Sequence, residues 1–94
     1  MNLLRDLGVE LVEITKEDQK NYNVRNGLKV KKLYDGKLKQ YTNIREGFVI
    51  TSVNNKMVST INSFMEAVET QKGGIMLEGK YAGDSTYYYY AFGM

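Results

Sequence analysis

The spacing of apolar and polar positions changes several times along this chain, and each change marks a different element. In "VELVEI", residues 9–14, Val9 and Leu11 share one face while Val12 and Ile14 share the other, which predicts a strand buried on parts of both faces. Thr15 ahead of "KED" reads as a helix N-cap with acids in the first turn, so residues 16–23 are predicted as a short helix. Asn26-Gly27 marks a turn. "LKVKKLY", 28–34, is a second strand with Leu28, Val30 and Lys32 on one face and Lys29 and Lys31 towards solvent, broken by Asp35-Gly36. "KLKQYTNI" reads as a short helix or helical turn before Arg45-Glu46-Gly47.

The second half is more regular. "FVITSV", 48–53, is apolar and β-branched, a buried strand closed by Asn54-Asn55, and "KMV" returns as a short extended piece. Ser59 and Thr60 cap a helix predicted over 61–71, whose Ile61, Phe64, Met65 and Val68 follow the i, i+3, i+4, i+7 spacing of one helical face. Gly73-Gly74 end it. "IMLEGKY" and "TYYYYAF" then form a hairpin across "AGDS". The order predicts a small α+β domain whose sheet curls into a partial barrel.

Gly8, between Leu7 and Val9, stands where the first strand begins. It makes a packing bend, or it lets the backbone approach something closely. The amphipathic helix at 61–71 bears on that choice. A glycine loop with free N–H groups, an adjoining strand edge and a parallel helix make a groove. Such a groove can take an extended peptide as an added strand and hold its terminal carboxylate on backbone amides.

Composition removes most other chemistry. At 94 residues the chain is one domain, with room for a single core but not for a large enclosed active site. It contains no Cys and no His, which excludes thiol nucleophiles, Ser-His-Asp triads, Cys/His zinc sites and disulfides. Glu10 and Glu13 fall on opposite faces of a strand and Glu17-Asp18 suits a helix start, so no catalytic carboxylate pair forms. No cofactor or metal is expected, and the chain is not expected to be an enzyme. No run is apolar enough to span a membrane, and no signal peptide is visible.

Tyr87 to Tyr90 and the lysines at 29, 31, 32, 37 and 39 invite comparison with a nucleic-acid platform. On a strand, however, Tyr87 and Tyr89 face one way and Tyr88 and Tyr90 the other, and the net charge is only +2. Lysines on the solvent face of a strand also guard it against edge pairing. No nucleic-acid partner is expected.

Several segments together resemble a PDZ domain of the bacterial HtrA/Deg (protease Do-like) type. "RDLGVEL" is similar to that family's apolar-Gly-apolar carboxylate loop and the peptide-pairing strand after it. "IREGFVITSVNNKMVSTINSFMEAV" resembles its signature of small helix, Gly, buried strand, Asn-rich turn and groove helix, although Phe48 stands where the family often has Asp. "GDSTYYYYAF" resembles the closing strand of the second, C-terminal PDZ domain in these proteases.

The resemblance implies a partly open β-barrel or sandwich of five to six strands with two or three helices. It implies peptide binding by Leu7, Gly8 and Val9 as amides and pocket wall, and by Glu10 and Leu11 as the pairing edge. Ile61, Met65 and Val68 would form the groove-facing row of the helix, with Phe64 turned into the core. Leu7, Val9 and Val68 would close the pocket for the ligand's last side chain, and Arg5 could bias the loop towards an anion. The implied partners are polypeptide C-termini or extended segments, the protease domain and neighbouring subunits of a parent periplasmic serine protease. The rival reading is a structural module that assembles or regulates the protease and binds no free peptide.

Overall fold

The computed structural model describes residues 3–71 and 73–93. Ten elements follow one another: α1 (Leu3–Leu7), β1 (Val9–Glu13), α2 (Lys16–Tyr22), β2 (Leu28–Leu33), α3 (Lys37–Tyr41), β3 (Val49–Val53), β4 (Lys56–Met57), α4 (Ile61–Glu69), β5 (Gly74–Lys80) and β6 (Tyr88–Gly93). The strands form one antiparallel sheet in the order β1-β2-β3-β5-β6, with β4 paired to β3. Phe48, Leu7, Leu28, Val30, Ile50, Phe64 and Leu77 are completely buried and make the centre of a single core. This is the expected α+β architecture with one helix more than anticipated, α1.

Local chemistry explains most boundaries. α2 opens with a reciprocal cap: the Thr15 hydroxyl accepts from the Asp18 N–H and the Asp18 carboxylate accepts from the Thr15 N–H. It closes at Asn23, which is left-handed at φ 54°. The same Asp18 accepts from the Lys29 ammonium at 2.9 Å, tying α2 to β2. The Thr15 N–H holds the Asp18 carboxyl below the usual carboxylate range; burial opposes this and Lys29 reinforces it. Lys29, expected on the solvent face, is therefore half-buried, and its hydrogen bond to Asp18 raises its own pKa.

The lysine pattern of β2 departs from simple alternation for a visible reason. Glu10 pairs with Lys32, but Leu11 pairs with Val30, so Lys31 is an extra residue in a bulge. The bulge leaves both Lys31 and Lys32 exposed, and Lys32 does not share the buried face of Leu28 and Val30.

All five residues of β3 are buried, as its composition predicts. Asn54 and Asn55 take φ 47° and 69°, two positive values in succession, and reverse the chain into β4. Thr60 caps α4 by accepting from the Ser63 N–H, and the helix ends at Glu69, two residues before the predicted end. The β5–β6 connection is longer than the predicted four-residue turn, since β5 ends at Lys80 and β6 begins at Tyr88.

Candidate functional site

The sheet order leaves β1 at an edge, with β2 on one side and α4 packed beside it. In an antiparallel ladder, backbone groups alternate between the two neighbours of a strand. Val30 donates to Phe48 O and accepts from the Gly47 N–H, so its polar groups point away from β1. Leu33 likewise turns its N–H to the Glu46 carboxylate. Their β1 partners, Leu11 and Val9, are thus left out of the β1–β2 ladder and direct their N–H and C=O to the open edge. Glu10 lies between them, with its backbone in the ladder and its side chain on the surface near Lys31 and the Tyr34 hydroxyl. Of the expected pairing edge, Leu11 faces outward and Glu10 does not; Val9 joins Leu11 there.

The side chains of the expected pocket lie together. Leu7, Val9, Leu11 and Val68 are 0%, 5%, 4% and 2% exposed, so these side chains pack into the core. Ile61 and Met65 are half-buried against that cluster, and Phe64 is wholly inside. Phe64 therefore anchors the helix and Ile61 and Met65 keep part of their surface open, whereas Val68, the third member of the expected groove-facing row, is buried in the core.

Gly8 is occupied in a way the sequence did not show. Residues 3–7 are helical, and Gly8 ends that helix at φ +75° with its N–H donated to Leu4 O at 2.9 Å and Arg5 O at 3.1 Å. Its C=O accepts from the Tyr34 N–H at 2.8 Å. A Cβ at Gly8 would lie 2.6 Å from Tyr34 O and 2.8 Å from Asp35 O. The bend and the close approach are both real, and what approaches is the chain's own 34–36 segment. Arg5 is exposed on α1.

The tyrosine run divides as alternation requires. Tyr87 and Tyr89 are exposed, whereas Tyr88 and Tyr90 pack on the core. Tyr90 lies edge-on to Phe48 and shares a 2.7 Å hydrogen bond with the Tyr81 hydroxyl; burial is the main cause of its raised pKa. Arg45 stacks over the Tyr81 ring at 4.3 Å. Half of the aromatic run is thus committed to packing. Among the described residues, no cluster of acids could hold a metal, and no helix is long and apolar enough to cross a membrane.

Known proteins share both the fold and part of the sequence. The crystal structure of the HtrA3 PDZ domain bound to a phage-derived ligand (FGRWV) superposes with a TM-score of 0.69 at 20% identity, covering 93% of this chain and 86% of that one. A protein of Pseudomonas fulva (strain 12-X), named probable periplasmic serine endoprotease DegP-like, is 31% identical over 64 residues. The chain has the PDZ fold and is similar in sequence to a protease of the HtrA/Deg type. No family-level sequence profile matches it. The aligned stretch is 68% of this PDZ domain and 13% of the DegP-like relative, so the chain spans a small part of that protein's length. The structural match is to a PDZ domain and not to a protease domain.

The residues expected to bind peptide are brought together where α4 packs beside β1. Two features of this region escaped the sequence reading: the α1 cap on Gly8 and the 34–36 segment beside it. Gly36, close behind a strand with Asp35, was the available signal for the second.

Proposed function

We propose that this domain binds extended, apolar polypeptide segments by adding them as a strand to β1, as the peptide-binding module of an HtrA/Deg-type periplasmic serine protease. The observation that carries the reading is the outward direction of the Val9 and Leu11 backbone groups beside the half-buried Ile61 and Met65 of α4. Backbone pairing supplies affinity in this mode, and alternate side chains of the ligand meet the helix wall. The ligand-bound HtrA3 PDZ domain and the name of the DegP-like relative support the ligand class and the compartment. The Tyr-rich closing strand supports placement as the second, C-terminal PDZ domain of the parent. The protease domain and neighbouring subunits are the further partners of such a module.

The structural rival draws on one observation, the closed packing of Leu7, Val9, Leu11 and Val68. An amide-resolved NMR titration with an extended apolar peptide separates the two. Saturable shifts at Val9, Leu11 and along 61–68 are expected. No shifts at millimolar peptide, or shifts confined to other surfaces, would leave the assembly role standing alone.

A further inference from the structure

Resting on that peptide-binding reading, we infer that the groove takes internal extended segments and gains nothing from a free C-terminal carboxylate. Capture of a terminal carboxylate on backbone needs a nest of several unspent N–H groups converging on one point. Here the central donor is spent: the Gly8 N–H is shared between Leu4 O and Arg5 O, closing the last turn of α1. Leu7, the residue before it, is the last residue of that helix and is fully buried. Of Leu7, Gly8 and Val9, this leaves the Val9 N–H at the edge, and strand addition uses that same group.

The far side of Gly8 is also filled. A Cβ on Gly36 would sit 2.6 Å from Gly8 N and 2.6 Å from Leu7 C, so the turn after β2 lies directly against the loop. Leu3 and Leu7 are buried at the two ends of α1, which anchors the helix in the core. Freeing the Gly8 N–H therefore means unwinding a packed helix, whereas pairing along Val9 and Leu11 uses backbone groups already turned away from β2. The edge reads main chain, and main chain is the same within a polypeptide as at its end.

Three peptides with one shared apolar core test this by calorimetric titration of the 94-residue chain. One ends in a free acid, one in an amide, and one continues into a Gly-Ser tail. Dissociation constants within about threefold of each other are expected. Tighter binding of the free acid by about tenfold or more would overturn the inference while leaving peptide binding intact, since charge-assisted bonds to amides would then be forming. Loss of the tailed peptide alone would overturn it too, because the loop would then wall off the end of the groove. Binding of none of the three would remove the parent reading and this one together.

Discussion

Gly8 and Gly36 sit where two backbone segments leave no room for a side chain: a Cβ on Gly36 would lie 2.6 Å from the Gly8 nitrogen, and one on Gly8 would meet the Tyr34 and Asp35 carbonyls at 2.6 and 2.8 Å. The two positions need glycine for different reasons. Gly36 has φ 167°, extended backbone open to any residue, so only space demands glycine there. Gly8 at φ +75° faces both the lack of space and the left-handed backbone. This contact fixes α1 against the turn after β2, and so fixes the start of the β1 edge.

Alanine at three glycines separates these causes. Gly83 has φ +72° with nothing within 4 Å of a Cβ, so Gly83→Ala is expected to cost about 1–2 kcal/mol from conformation alone. Gly36→Ala is expected to cost about 1–3 kcal/mol from crowding alone. Gly8→Ala carries both and should be the worst of the three. Urea melts giving equal losses at all three sites would contradict the contact.

The two middle residues of α4 should behave differently although they are adjacent. Phe64 is 0% exposed, and Phe64→Ala is expected to cost about 3–5 kcal/mol. Met65 is half-buried, so Met65→Ala should cost well under half as much. With total stabilities of about 5–15 kcal/mol, the first change brings so small a domain close to unfolding. Equal losses in denaturant melts would mean that α4 is rotated from the orientation described.

The Asp18–Lys29 pair predicts a pH dependence with a defined sign. The Asp18 pKa is lowered by folding, so its contribution is full above the ordinary aspartate value of about 3.9 and is lost as pH falls through the lower folded value. The Lys29 pKa is raised, so its contribution is full below about 10.4 and is lost as pH rises through the higher folded value. Asp18→Asn is expected to reduce stability by about 1–2 kcal/mol near neutrality. The gap from wild type should stay level from about pH 5 to 9 and shrink on both sides. A gap that persists unchanged to pH 2 would assign the loss to packing.

What could be read from the sequence was whatever its local patterns determine. α4 announced itself by four apolar residues at helical spacing behind a Ser-Thr cap, and β3 by an unbroken β-branched run. The tyrosine run could be divided correctly because alternation alone decides it. α1 was missed because five residues hold too little period, and its helix depends on Leu3 and Leu7 reaching a core built from distant strands. The bulge at Lys31 was missed because register is a property of two strands. The same limit applies to Gly8: "LGV" is compatible with a free loop and with a helix cap, and only the arrival of Gly36 distinguishes them.

The groove itself is tested most directly by placing one charge in two locations. Met65 lines α4 half-buried against the core cluster, while Met57 on β4 is 77% exposed. Lysine at either position adds the same charge and removes the same apolar side chain. Met57→Lys should leave both stability and peptide affinity within about twofold of wild type, as an exposed change away from the β1 edge. Met65→Lys sets an ammonium where an apolar ligand side chain would pack, and strand addition would then carry its desolvation cost. A loss of affinity of about tenfold or more is expected, with the β1 edge still able to pair. Titrating one extended apolar peptide against the three proteins, each first shown to melt cooperatively, gives the answer. Equal losses for both variants would point to a nonspecific effect of charge. Unchanged binding by Met65→Lys would move the ligand away from α4 altogether.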